Sequence, residues 1–279
     1  VIEALVAPAA TAPPAHGGSF DNGLTAQNRL TWPHERPLLR RHGLEPQRSV
    51  ASVCCGGGHF EMLLAQEMNV CEIAALDRDP EAVARAQARA HGLPITFEAG
   101  DATELPWPGD AFDFVICRHA LQTMSAAVRR DALREIVRVT RPGGRVYLTN
   151  EKNSHCTGAP DTRTIDAGFR LVAALWEDYD MDIECGPEQA GWLRDLGLED
   201  LRVDHMTIPS LSAPETFAEV AESWRTTFYD MALAAGWKEH RLRRLNAGLL
   251  AWRRAALEGL ASWPIWVASA RKPMLSPVL

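Results

Sequence analysis

Residues 50–58, Val50-Ala51-Ser52-Val53-Cys54-Cys55-Gly56-Gly57-Gly58, form a short apolar run that ends in three glycines. A strand covered on both faces reads as such a run, and glycines permit the tight turn that carries the chain from it into a helix. That helix follows at once, with Phe60, Leu63 and Leu64 on one face. Strands and helices alternate outward from here. Residues 70–76 predict a second strand. Asp79-Pro80-Glu81 then supplies an N-cap, a first-turn proline and an acidic first turn, and Gly92 with Pro94 closes the helix they begin. Residues 95–97 and 112–117 predict the third and fourth strands. A helix over 126–140 and the turn Arg141-Pro142-Gly143-Gly144 lead to a fifth strand at 145–149. This alternation predicts a parallel sheet with helices wound on both faces.

The pattern changes after Asn150. Residues 163–179 carry Phe169, Val172, Trp176 and Tyr179 on one helical stripe. A helix over 187–196 stops at Gly197 and feeds a strand at 201–206. Ser212 and Glu215 have the spacing of a capping box for a long helix with Trp224, Phe228 and Met231. A further helix over 238–260 precedes a last strand at 265–270. The fold class expected is α/β: a doubly wound, mostly parallel seven-stranded sheet with added helical cover. Residues 1–18, rich in Ala, Pro and Gly, read as a flexible tail and 19–48 as a helical cap. Residues 49–150 form the ligand-binding core, and 151–279 the cover with the last two strands.

Composition narrows the function. The 279 residues are 46% hydrophobic and 23% charged, the shares of an ordinary globule, with net charge −7 and no run of five like charges. That balance argues against a nucleic-acid partner. The six cysteines form no metal-binding spacing, so no metal is expected, and Cys54-Cys55 reads as core packing rather than a redox pair. Reduced cysteines suggest the cytoplasm. No apolar stretch nears the ~20 residues of a membrane span, and the first residues lack the basic start of a secretory signal. A small-molecule substrate, no nucleic acid, no membrane and a possible homodimer are the expectations.

Ligands of open parallel sheets bind at the carboxyl ends of the strands, where strand order reverses. The glycines at 56–58 fall there, and so does Asp77, 19 residues past Gly58, where a carboxylate can accept both hydroxyls of a ribose. Asp101, in Gly100-Asp101-Ala102, can accept from the exocyclic amine of adenine. Together they describe an adenosine pocket. A nicotinamide site fits less well, because Glu61 stands where the G-x-G-x-x-G pattern needs glycine or alanine.

With these residues in place, the sequence resembles the class I S-adenosylmethionine-dependent methyltransferases of small-molecule type. The matching stretches are VASVCCGGGHFEMLLA, AALDRDP, FEAGDATELP, FDFVICRHAL and VTRPGGRVYLTN, in family order over residues 45–150. Two positions depart: Ser52 stands where the family usually has an acid that orders the turn and the methionine end of the cofactor, and Cys54 where it has glycine. The resemblance implies S-adenosylmethionine as cofactor, held by Cys55, Gly56, Gly58, Asp77, Arg78, Asp101, Ala102 and Cys117. It implies methyl transfer to O, N or C of a small metabolite, in biosynthesis, with His119, His155 and Tyr179 as the catalytic candidates. His119 follows the fourth strand, beside the expected sulfonium, where its imidazole can take a proton. The alternative is a non-methylating use of the same cofactor, such as cyclisation of its aminobutyryl arm with release of methylthioadenosine. A neutral Ser52 would favour that reaction by leaving the amine unprotonated.

Overall fold

In the computed structural model, which describes residues 18–274, one sheet organises the chain. Its first five strands are β1 (Ser49–Val53), β2 (Glu72–Asp77), β3 (Ile95–Ala99), β4 (Phe112–Arg118) and β5 (Thr140–Glu151). They run parallel in the order β3-β2-β1-β4-β5, so strand order reverses between β1 and β4. β8 (Leu260–Arg271) adds antiparallel to β5, and β6 (Thr157–Ala159) and β7 (Glu199–Pro209) pair antiparallel with β8. The sheet thus has eight described strands instead of the expected seven. The extra one, β6, has three residues, too few for any alternation to reveal it, and it exists because β8 starts early enough to pair Ala159 with Leu260. β5 also outruns its expected end at 149, because Glu151 pairs with Ile265.

Side chains of period two divide the core between the two faces. Phe114 and Ile116 on β4, with Tyr147 on β5, pack into one apolar cluster with Leu39, Trp252 and Trp263. Val115, Cys117, Val146 and Leu148 face the other cluster, with Leu133, Ile136 and Leu193. Helices cover both: α2 (His59–Glu67), α3 (Pro80–Arg89), α4 (Ala126–Val139), α5 (Thr162–Glu177), α6 (Gln189–Asp195), α7 (Pro214–Ala234) and α8 (Glu239–Glu258). Asp79 caps α3 as expected, accepting from the Glu81 N–H at 2.9 Å. α5 meets α8 where Gly168 faces Gly248, and a Cβ on Gly168 would stand 2.7 Å from the Gly248 Cα. The capping box expected of Ser212 and Glu215 does not form. Ser212 ends a short 3-10 turn, its hydroxyl 3.4 Å from the Pro209 carbonyl, and α7 starts after Ala213 with Pro214 in its first turn.

The expected tail over 1–18 lies, apart from Gly18, outside the described residues. α1 (Gly18–Arg41) is the expected cap. Pro33 and Pro37 lie inside it, both exposed, so the helical carbonyl that loses its donor faces water. Its buried face carries a charge. Glu35, fully buried, accepts from Arg118 Nε at 2.8 Å on one oxygen and from Nη2 at 2.5 Å on the other. Arg118 also donates to Asn28 at 3.0 Å and lies 3.9 Å above the Phe60 ring. Burial opposes the guanidinium charge, but Glu35 outweighs it and holds the Arg118 pKa above the usual arginine value. Removing one partner of such a pair strands the other charge out of water. Glu35→Ala is therefore expected to lower the unfolding free energy by about 3–5 kcal/mol, measured by urea denaturation; a loss below about 1 kcal/mol would show that the pair does not anchor α1.

Candidate active site

The carboxyl ends of β1, β2 and β4 open into a crevice of about 340 Å³. Cys55, Gly56, Asp77, Arg78, Asp101 and Ala102, expected to hold the cofactor, all line it. Gly56 takes φ +54 and donates its N–H to Asp77 Oδ2 at 2.7 Å, while Oδ1 accepts from the Asp79 N–H at 3.0 Å. Asp77 therefore orders the glycine turn as well as facing the crevice. Asp101 accepts on Oδ1 from the backbone N–H and the hydroxyl of Thr103, bonds that hold its carboxyl below the ordinary range.

Two of the expected cofactor residues sit elsewhere. Gly58 precedes α2 at φ +73, and a Cβ there would meet the Phe97 ring at 2.6 Å and Ala86 at 2.8 Å. Its lack of a side chain serves the packing of α2 on β3 and α3, and Gly57 lines the crevice instead. Cys117 points its fully buried side chain into the apolar cluster on the other face of β4. Its contact and burial raise the neighbouring Cys54 thiol, which stays protonated. Cys54 itself adopts φ +64, the conformation for which the family uses glycine. The turn keeps its course at a cost of about 1–2 kcal/mol.

A carboxyl from α2 stands against Ser52 of β1. Ser52 Oγ donates to Glu61 Oε1 at 2.5 Å. Glu61 is 2% exposed and lines the crevice, and its Oε2 has no hydrogen-bond partner. Burial pushes its carboxyl up to about 7, against the pull of the Ser52 bond and of Arg118. Ser52 is therefore not alone at this point, because a titratable carboxyl lies against it.

His119 follows β4 at φ +53 and continues the ladder by donating its N–H to the Thr149 carbonyl at 2.7 Å. Its imidazole is 11% exposed, with Nδ1 2.8 Å from Glu151 Oε1. The contact lies outside hydrogen-bond alignment, so both ring nitrogens and Glu151 Oε2 are buried without a hydrogen-bond partner. A second chamber, of about 160 Å³, adjoins the crevice; Leu24, Gln27, Arg78, His119 and Thr123 border both. Trp176, Trp224 and Phe228 form its aromatic wall, with ring centroids 5.8 and 6.0 Å apart about Phe228. Their rings, carried on two of the helices expected as cover, are at the site.

The remaining catalytic candidates are not. His155 is exposed on a 3-10 turn near His205, outside both cavities. Tyr179 is buried, but its hydroxyl donates to the Met231 carbonyl at 2.8 Å and joins the end of α5 to α7, bordering neither cavity. Glu61 and Glu151 were not singled out by sequence. The register explains the placement of Glu151: β4 and β5 pair in parallel at a constant offset from Phe114↔Arg145 to Arg118↔Thr149, which sets His119 beside the end of β5.

A methyltransferase-domain family model matches residues 50–144. The chain is 37% identical over 103 residues to the demethylmenaquinone methyltransferase of Deinococcus radiodurans, covering 36% of this chain and 42% of that protein. It is 32% identical over 160 residues to an uncharacterized methyltransferase of Synechocystis sp., covering 57% of this chain and 73% of that one. The chain thus spans less than half of the first relative and about three quarters of the second. Phosphoethanolamine N-methyltransferase 2 of Haemonchus contortus, solved with phosphomonomethylethanolamine and S-adenosylhomocysteine, shares the fold. Its TM-score is 0.58 at 17% identity, over 91% of this chain and 58% of that one. Among the described residues, no helix is long and apolar enough to cross a membrane.

The raised Glu61 carboxyl has a consequence for stability. A folded-state value of about 7, above the ordinary carboxylate range, means the folded chain holds that proton more tightly than the unfolded one. The resulting stabilisation is complete below about pH 4 and is lost as pH rises through 7, on the order of 3 kcal/mol in all. Glu61→Gln is expected to lack this decline, so its unfolding free energy should exceed the parent's at pH 8 and converge with it near pH 4. Parallel pH profiles in urea denaturation would overturn the assignment.

Proposed function

The chain belongs to the class I S-adenosylmethionine-dependent methyltransferases, and from that premise we propose that it methylates a small, ring-bearing metabolite with His119 as general base. S-adenosylmethionine fits the crevice: the glycine turn leaves room for close approach at Gly56, Asp77 is poised for the ribose and Asp101 for the adenine amine. When bound, that cofactor supplies a methyl group already activated by the sulfonium charge, open to in-line displacement.

The observation that carries the reading is His119 itself, with both ring nitrogens unbonded, on the wall common to crevice and chamber and against a buried carboxylate. Nε2 accepts the proton of an acceptor O–H or N–H. Loss of that proton makes the oxygen, the nitrogen or a conjugated ring carbon the nucleophile. Nδ1 keeps its hydrogen toward Glu151, whose negative charge stabilises the imidazolium that forms. A small turn of the ring brings that pair into line, and catalytic hydrogen bonds often tighten in this way once substrate is bound. The aromatic chamber supports an acceptor with a flat apolar face and excludes water from the proton transfer. The activity in the name of the Deinococcus relative, on a demethylmenaquinone, agrees with a ring-bearing acceptor.

Mass spectrometry of products from S-adenosylmethionine and candidate phenols, quinols and aromatic amines identifies the acceptor. With it in hand, His119→Ala is expected to lower kcat by roughly 10²–10⁴ while S-adenosylhomocysteine affinity, by calorimetry, stays near the parent's. Asp77→Ala should do the reverse in binding, weakening S-adenosylhomocysteine by about 1.5–3 kcal/mol. Near-parent turnover in His119→Ala would remove the imidazole from catalysis.

A further inference from the structure

We propose that Glu61 is the anionic receptor for the α-ammonium of the aminobutyrate arm of S-adenosylmethionine, acting from α2 in place of an acid on β1. The inference rests on reading the crevice as a site for that cofactor. It is carried by the geometry of a single side chain. Glu61 lines the crevice with Gly56 and Asp77, yet it is 98% buried and one of its two oxygens has no hydrogen-bond partner. Its other oxygen is fixed by Ser52 at 2.5 Å, so the carboxyl is oriented before any ligand arrives.

No cation among the described residues satisfies it. Arg118, the positive charge that acts on Glu61, is committed to Glu35 through Nε and Nη2 and to Asn28 through Nη1. Asp77 and the Cys55 thiol are the other titratable groups close enough to interact, and neither can offer a positive charge. A buried, half-satisfied carboxyl at a ligand crevice calls for a ligand donor, and a cationic one gives most, because bonds to an ionised partner are about twice as strong as neutral ones. Of the cofactor's two ends, the adenosine is matched by Asp77 and Asp101. The other end carries a primary ammonium, and Glu61 lines the same crevice where Ser52 of β1 holds it. The carboxyl, raised by burial to about 7, agrees with a group that holds a proton more tightly until that ammonium arrives.

The test compares two ligands that differ only in this arm: S-adenosylhomocysteine, which carries amine and carboxylate, and 5′-methylthioadenosine, which carries neither. In calorimetry, Glu61→Gln is expected to weaken S-adenosylhomocysteine by about 10- to 100-fold and to leave methylthioadenosine within about twofold. Adding Ser52→Asp to that variant should recover most of the loss by returning a carboxylate to the same point. A second measurement needs no variant. At pH 7 the parent should release about half a proton to the buffer on binding S-adenosylhomocysteine, beyond any released with methylthioadenosine. Unchanged affinity for S-adenosylhomocysteine in Glu61→Gln, equal weakening of both ligands, or equal proton release with both would overturn the assignment. A parent that binds neither ligand would instead overturn the cofactor reading on which it rests.

Discussion

Arg118 ends β4 with its guanidinium out of water, so each of its nitrogens has to find an acceptor inside the protein. Glu35 supplies both carboxylate oxygens and Asn28 a side-chain carbonyl, all from α1, while Tyr147 on β5 reaches the same carboxylate at 3.4 Å. The pair is a weak source of net stability, since desolvating two charges consumes most of what their attraction returns. Its effect is positional. α1 cannot lie anywhere else without stranding a charge, and lying there it contributes Leu24 and Gln27 to both cavities. The next residue, His119, turns left-handed at φ +53, which takes its ring out of the alternation of β4 and onto the wall between them.

The glycine turn, Asp77, Asp101 and His119 were legible in sequence because each sits at the end of a predicted strand. There a local pattern already says which way the chain turns. The parallel sheet with helices on both faces followed from the same alternation. What was not legible depended on contacts between distant segments. Glu61 read only as a mismatch to a nicotinamide motif, because nothing in its own helix says that Ser52, nine residues earlier, lies under it. Glu151 fell past the expected end of β5, whose last two residues are in the sheet only because β8 pairs with them. Gly58 was misread for a related reason: its absent side chain makes room for Phe97, a partner on another strand. His155 was drawn in by its place after the fifth strand and Tyr179 by its place on a covering helix, and long-range packing sent both elsewhere.

Among the described residues, the buried carboxylates with an oxygen lacking a hydrogen-bond partner are Glu61 and Glu151, and each borders a cavity. Such groups work against stability, and a chain built only to be stable would pair or replace them. Their placement matches the two cations a methyl transfer would bring: the ammonium of the donor at Glu61, and the imidazolium of His119 at Glu151. Each charge is then met where it enters or forms, by a carboxyl already in place beside it.

Moving the acid from β1 to α2 also changes what holds it. Glu61 lies in the first turn of its helix, where the dipole favours a carboxylate by about 0.3–1 kcal/mol. Burial costs more than that, so the carboxyl stands at about 7 and not below the ordinary range. The balance is close enough for a ligand to tip. An ammonium beside Oε2 adds a charge-assisted bond worth about 1.5–3 kcal/mol, comparable with the whole displacement of the carboxyl from its ordinary value. Glu61 would thus ionise as the ligand binds, and the energy stored in the unliganded crevice would be recovered as affinity for the one end of the cofactor that adenosine recognition leaves unread.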